Sequence, residues 1–323
     1  MIILKVQNGV GNQLFVMALG ELLRKNFPNQ IIKYDSSELP MYVNGRYTIT
    51  LDSFSSKAEM LTAKEVRSKL GKILFFRRCR SNSREAKDIV DILERKIIKV
   101  ITLPQRYQLI VESKYEDAYD QIRHMQFDSD KDYVFDGYWE DARFVLPIAS
   151  RLKKIIDFPN VRIHDEYYSL IDQGMNLVSV HIRRGDYIKE SNSISYPRYF
   201  YAICDEEYYE DAISLIQTKV ENPFFVFFSD DIEYVREKYA ELENKIIVEG
   251  QRDIEDLYFM TLCNHHVLAN STFSFWGAML SKKSGVNVAP KTHYYRLLDK
   301  NNIYKKEFFF VDDWLYLDTK KIR

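Results

Sequence analysis

Val178-Ser179-Val180-His181-Ile182-Arg183-Arg184-Gly185-Asp186-Tyr187 carries a buried-strand signal straight into a cluster of charge. A Val/Ile-rich run that meets glycine at once predicts a strand leading into a turn. The charges then sit at or just past the strand's carboxyl end, where open α/β sheets place their ligands. Alternation sends His181 and Arg183 to one side and Ile182 and Arg184 to the other. Arginine presents a planar, permanently charged fork that matches phosphate oxygens. The stretch therefore reads as an anion site suited to a diphosphate. The competing reading is a structural ion pair of Arg183 or Arg184 with Asp186.

The sequence after about 160 has a strand–helix rhythm around this run. Helical patterns cover 164–172, 199–219, 234–242, 253–263 and 273–280, and strand patterns cover 177–182, 224–228, 246–248, 266–269 and 286–288. The acids that open 253–263 suit a helix N-terminal dipole. Such alternation predicts a mostly parallel sheet covered on both faces. In a parallel sheet the strand ends share one edge, and three of them are polar: His181/Arg183/Arg184, Ser229/Asp230/Asp231 and Asn270/Ser271/Thr272. Asn-Ser-Thr directly before a helix offers hydroxyls and backbone N–H groups at a helix N-terminus, a ready phosphate site. Ordinary N-capping by Ser271 or Thr272 is the alternative. Asp230 or Asp231 suits a ribose hydroxyl or a base N–H, or else an N-cap for the following helix.

The N-terminal part begins with a strand over 2–6, a glycine turn over 7–13, a helix over 14–25 and a strand over 31–34 ending at Asp35. Gly9-x-Gly11 with Asp35 half-matches a dinucleotide fingerprint, but the third small residue is replaced by Leu14. The glycines serve equally to let backbone amides, with Asn12 and Gln13, approach another ligand, or simply to make a tight turn. Helical patterns cover 61–70, 84–98 and 144–156, and the basic stretch 77–84 reads as a solvated face. Val134-Phe135 leads into Asp136-Gly137-Tyr138-Trp139, an aromatic loop suited either to stacking on a sugar or to packing.

Length and composition narrow the class. The 323 residues fit two domains, taken as 1–160 and 161–323. A net charge of −1 offers no support for a nucleic-acid surface. Three scattered cysteines have no metal-ligand spacing and make no disulfide framework. No signal peptide and no apolar run long enough to span a bilayer are legible, so a soluble, intracellular chain is expected.

Four blocks occur in one order: Gly9-Val10-Gly11-Asn12-Gln13-Leu14-Phe15, His181-Ile182-Arg183-Arg184-Gly185-Asp186-Tyr187, Phe228-Ser229-Asp230-Asp231, and Ala269-Asn270-Ser271-Thr272-Phe273-Ser274-Phe275-Trp276-Gly277-Ala278. In them the chain resembles the bacterial α-1,2-fucosyltransferases of glycosyltransferase family 11. It departs from the family at Asn8-Gly9-Val10-Gly11, where Gly-Gly-Leu-Gly is usual, and at Phe275, where a tryptophan is common. The resemblance implies a GT-B-like α/β fold: two Rossmann-like domains facing a cleft, with the donor site mainly in the C-terminal domain. It implies GDP-β-L-fucose as donor, the 2-hydroxyl of a terminal β-galactose in a glycan as acceptor, inversion, no metal or other cofactor, and a place in O-antigen or capsule biosynthesis. It also implies Arg183 on the β-phosphate, supported by His181 and Arg184. Gly11 and Asn12 would reach the donor from the N-terminal domain. Ser271 and Thr272, beside Asn270, would hold the diphosphate. Ser229, Asp230 and Asp231 would meet the guanine or ribose. Asp186 and Glu190 are the acids nearest in sequence for a general base. The expected location is cytoplasmic, with peripheral membrane association. The competing functions are an NAD-dependent oxidoreductase and a non-catalytic nucleotide- or glycan-binding protein.

Overall fold

In the computed structural model, which describes residues 1–37, 39, 50, 51, 54, 58–66, 98–102, 107–112, 118–185, 187, 199–201, 204–292, 294–299, 302–306 and 310–319, the deciding run becomes the strand β6 (Asn176–Ile182). Val178, Val180 and Ile182 enter one apolar cluster and Leu177 enters another. Helices cover both faces, so the strand reads as nearly continuous apolar sequence.

The chain forms two compact units, Met1–Ile148 and Ala149–Arg323. The division falls before 160 because the helix Ala149–Ile155 belongs with the later elements: it packs on the helix Thr272–Leu280, and Lys153 Nζ donates to the Ser281 carbonyl at 2.7 Å.

In the first unit the strands are β1 (Ile2–Lys5), β2 (Ile32–Asp35), β3 (Ile98–Thr102), β4 (Tyr107–Glu112) and β5 (Asp132–Asp136), in the order β2-β1-β5-β4-β3. All pairs are parallel except β3–β4. The helix Val10–Asn26 connects β1 to β2. It starts earlier than its apolar periodicity indicates. Gly9 takes the extended N-cap conformation, so Val10, Gly11, Asn12 and Gln13 form the first helical turn rather than a glycine loop. The left-handed residue here is Asn8, with φ 55°, a conformation asparagine tolerates better than most residues.

In the second unit β6 is joined by β8 (Pro223–Ser229), β9 (Lys245–Ile247), β10 (His265–Val267), β11 (Asn287–Pro290) and β14 (Leu315–Leu317). The order is β14-β11-β10-β6-β8-β9 and every pair is parallel. Counted from β6 this is the 3-2-1-4-5-6 order of a doubly wound nucleotide-binding sheet. The chain runs outward from β6 through β8 to β9, then returns to build β10 on the other side of β6. The direction of winding therefore reverses between β6 and β10.

The expected helix over 199–219 divides. Tyr199–Tyr201 is the strand β7, paired antiparallel with β12 (Tyr294–Asp299), which pairs in turn with β13 (Asn302–Lys306). The helix itself is Glu206–Lys219, started by Asp205, whose side chain accepts from the Tyr208 N–H at 3.0 Å. Of the expected helix over 61–70, the turn Ala63–Glu65 is described, closed by a capping box with Thr62. The helix expected over 144–156 is broken by a 3-10 turn, Leu146–Ile148, around Pro147. Of the helix expected over 84–98, Ile98 is instead the first residue of β3; its other residues, the reading over 77–84, and Asp186 and Glu190 lie outside the described residues. Among the described residues no helix is long and apolar enough to cross a membrane.

Gly20 sets the approach of Val10–Asn26 to its sheet. A Cβ there would lie 2.2 Å from Tyr34 Oη and 2.7 Å from Leu4 Cδ1, and both neighbours are buried. Alanine gains about 1 kcal/mol in helix propensity, while overpacking a core costs about 1–3 kcal/mol. Tyr34 cannot retreat cheaply, so the second effect wins. Gly20→Ala is expected to lose about 1–2 kcal/mol in denaturant unfolding; a variant as stable as wild type would contradict this packing.

Candidate functional site

Parallel register brings β6 and β8 together one residue at a time, down to Ile182 opposite Ser229. One step further, Arg183 meets Asp230 and Arg184 meets Asp231. Arg183 Nη1 lies 3.1 Å from Asp230 Oδ2, and Arg184 Nε lies 3.1 Å from Asp231 Oδ2. These ion pairs are with Asp230 and Asp231; the pair with Asp186 expected from the sequence involves a residue outside the described ones.

The two pairs differ. The Arg184 guanidinium also lies 3.5 Å from the centre of the Tyr234 ring, close contact for a cation–π pair. Asp231 accepts from the Tyr234 N–H and caps the helix Ile232–Lys238, while Ser229 Oγ accepts from the Asp231 N–H at 3.0 Å. Arg183 faces Tyr187, 5.5 Å from its ring centre. Tyr187 Oη donates to the Asn270 carbonyl at 3.3 Å, which ties the turn after β6 to the turn after β10.

His181 is buried, 5.4 Å from the Phe273 ring, and its Nδ1 has no hydrogen-bond partner among the described residues. Burial and the neighbouring Arg183 charge push its pKa down to about 3. It is therefore a neutral imidazole at ordinary pH, able to donate or accept a hydrogen bond. Proton exchange near neutrality calls for a pKa close to the operating pH, so His181 is poorly matched to a general acid or base role.

The end of β10 supplies a helix N-terminus. Ser271 is the N-cap of Thr272–Leu280, its Oγ accepting from the Phe273 N–H at 3.3 Å. Its hydroxyl proton is left to donate, so capping and ligand binding are compatible. The helix has no acid in its first turn to offset the dipole, which leaves its N-terminus attractive to an anion. Asn270 and Ser271 are buried and Thr272 is half-buried. Two adjacent tyrosines hold this edge from below. Tyr208 Oη donates to the Leu268 carbonyl at 2.6 Å and Tyr209 Oη to the His181 carbonyl at 3.0 Å. The pair fixes the ends of β10 and β6, a role hidden in an unremarkable amphipathic pattern.

The second unit thus brings His181, Arg183, Arg184, Ser229, Asp230, Asp231, Asn270, Ser271 and Thr272 to the carboxyl edge of three adjacent strands. The geometry supplies fixed cations and helix N–H groups at a topological switch point. Gly11 and Asn12 belong to the first unit, in the first turn of Val10–Asn26 at the end of β1. Leu14, fully buried, fills the position where a dinucleotide fingerprint requires a small residue. Trp139 is buried with φ 55°, so it is packing, while Tyr138 is half-buried and its hydroxyl accepts from Asn8 Nδ2 at 3.2 Å. A cavity of about 230 Å³ in the first unit, lined by Leu22, Phe27, Tyr119 and Phe144, lies at the opposite end of that helix. Among the described residues no group of three His, Cys, Asp or Glu side chains is placed to hold a metal ion.

The family model described as glycosyl transferase family 11 matches residues 1–318. The chain belongs to glycosyl transferase family 11. It is 32% identical over 167 residues to an alpha-1,2-colitosyltransferase of Escherichia coli, covering 50% of this chain and 56% of that protein. It is 24% identical to the Escherichia coli O-antigen biosynthesis glycosyltransferase WbnK, covering 97% and 99%. It is 27% identical to a galactoside alpha-(1,2)-fucosyltransferase 1 of Ateles belzebuth, covering 46% and 40%. Thus the chain spans about half the length of two of these relatives and nearly all of the third. Among solved structures it is similar to POFUT1 in complex with GDP-fucose, with a TM-score of 0.50 and 12% identity over 89% of this chain and 97% of that one. The fold is of the GT-B class.

The acids at the start of Asp253–Leu262 are expected from the sequence to be partners of a helix dipole, which would favour their ionised forms. Asp256 behaves otherwise. Burial, with Asp253 and Glu255 close by, raises its pKa to about 7 although Gln251 Nε2 donates to it at 3.0 Å. Desolvation outweighs both the dipole and the hydrogen bond. Between about pH 4 and pH 7 the folded protein holds a proton that the unfolded chain has released, so stability falls as the pH rises through this window. Asp256→Asn is expected to remove a pH-dependent term on the order of 4 kcal/mol. It should unfold at higher denaturant than wild type at pH 8 and show little difference at pH 4; parallel pH profiles would contradict the assignment.

Proposed function

We propose that this family 11 enzyme transfers L-fucose from GDP-β-L-fucose to the 2-hydroxyl of a terminal β-galactose in a glycan, with inversion and without a metal ion. The observation that carries the reading is the placement of Arg183 and of the Thr272–Leu280 N-terminus on adjacent strands at the point where the second unit's winding reverses. That is where doubly wound sheets bind nucleotides. The α-1,2 linkage is supported by the names of two relatives, one acting on galactosides.

In this scheme the acceptor hydroxyl attacks fucose C1 from the face opposite the diphosphate and gives its proton to a general base, for which Asp186 and Glu190 are the acids nearest in sequence. The bond from C1 to the β-phosphate oxygen breaks as the new glycosidic bond forms. Negative charge grows on the departing oxygen, and fixed donors at that point stabilise the transition state more than the ground state. Arg183 supplies the charge, and Ser271, Thr272 and the helix N–H groups hold the phosphates. Permanent cations take the part a divalent metal would otherwise play. Neutral His181 contributes a hydrogen bond and shape. Gly11 and Asn12 are the proposed contacts from the first unit.

A second reading, in which the transferred sugar is colitose, draws on the 32% identity to the colitosyltransferase. Comparing the two GDP-sugars as donors with lactose as acceptor, with the product linkage read by NMR, separates the readings. Arg183→Ala is expected to lower kcat/KM with GDP-fucose by at least a hundredfold, on the scale of removing one donor to a developing oxyanion, with its melting temperature little changed. Near-wild-type turnover would overturn the scheme.

A further inference from the structure

We infer that Asp230 acts on the protein rather than on the nucleotide: it is the positioning residue for Arg183. The inference rests on the donor reading given above and assigns a different task to a residue that sequence alone points toward ribose or base.

The contacts of its carboxylate carry the argument. Asp230 Oδ1 accepts from the Arg184 N–H at 2.9 Å and from the Gly185 N–H at 3.2 Å. Oδ2 faces Arg183 Nη1 at 3.1 Å. Three of roughly four lone-pair sites are therefore occupied, two by the backbone of the turn that carries Arg183 and one by Arg183 itself. Gly185 allows this approach, since a Cβ there would lie 2.7 Å from Asp230 Oδ2. Charge-assisted hydrogen bonds to backbone amides are short, strong and directional. Asp230 thus fixes the turn and the guanidinium together. Both side chains of the pair retain 22% exposure, so Arg183 still presents a face outward.

Arg184 is committed differently. Asp231 takes its Nε, and its plane covers Tyr234. Tyr234 Oη donates to Glu206 Oε1 at 3.2 Å, and Lys238 Nζ in turn bridges Glu206 and Glu210. Arg184 is bound into a surface network on the helix Ile232–Lys238, whereas Asp230 ties Arg183 to the turn after β6.

A positioning residue changes affinity only for the part of the ligand that its client touches. Calorimetric titration with GDP and with GMP, which lacks the β-phosphate, makes the distinction. Wild type is expected to prefer GDP. In Asp230→Asn the amide oxygen still accepts from the turn, but the charge opposite Arg183 is gone. GDP should weaken about tenfold, with GMP within twofold. Asp230→Glu, which keeps the charge but moves it, should show the same pattern and serves if the asparagine variant does not fold. In an Arg183→Ala background Asp230→Asn should have no further effect on GDP. Equal weakening of GDP and GMP, no change in either, or additive effects with Arg183→Ala would overturn the inference and leave the donor reading standing. A wild type without preference for GDP would overturn the donor reading, and this inference with it.

Discussion

The parallel register between β6 and β8 is the constraint on which the site depends. Because Ile182 pairs with Ser229, the two arginines after one strand meet the two aspartates after the next in one-to-one order. A slip of one residue would turn every side chain of the strand to the other face. It would exchange the side chains that fill the two apolar clusters and break the one-to-one pairing of arginines with aspartates, so the packing that fixes register also fixes the charges. Phe225 and Phe227 on one face of β8 and Val226 and Phe228 on the other hold that register from both sides of the sheet.

Electrostatics then divides the labour among residues that look alike in sequence. Arg183 and Arg184 are adjacent and chemically identical, yet Arg184 is stacked on Tyr234 and Arg183 is clamped in a turn between Asp230 and Tyr187. Asp230 and Asp231 are likewise adjacent, but one holds a turn and the other starts a helix. His181 keeps no charge because burial and the Arg183 cation act in the same direction. The result is a site whose permanent charges are few and fixed. Preorganisation of this kind is what charge stabilisation in a transition state requires, since no reorganisation is left to be done at the moment of reaction.

Much of this is legible in the amino-acid sequence. The strand over 177–182, the apolar strand before Ser229 and the Asn-Ser-Thr turn before a helix are strong local signals, and the strand–helix alternation yields the parallel sheet. The limits are equally specific. Strand alternation in Tyr199-Phe200-Tyr201 and a helical face overlap within 199–219. Only pairing with β12, nearly a hundred residues away in sequence, separates the strand Tyr199–Tyr201 from the helix begun by Asp205. Gly9 and Gly11 suggest a loop, but Gly9 as an extended N-cap lets the helix start at once. Local spacing offers only Asp186 as a partner for the arginines; Asp230 and Asp231 come from a neighbouring strand through register, which local spacing does not encode. Asp256 illustrates the same limit: its charge state is set by how deeply the fold buries it, and no local pattern encodes that depth.

The central claim is that the switch point of the second unit is the nucleotide diphosphate site. Amide hydrogen exchange with and without GDP tests it most directly. New protection in three segments, 181–187, 229–232 and 270–274, is the predicted result. Protection confined to the turn after β1 in the first unit, with these three segments unchanged, would contradict it.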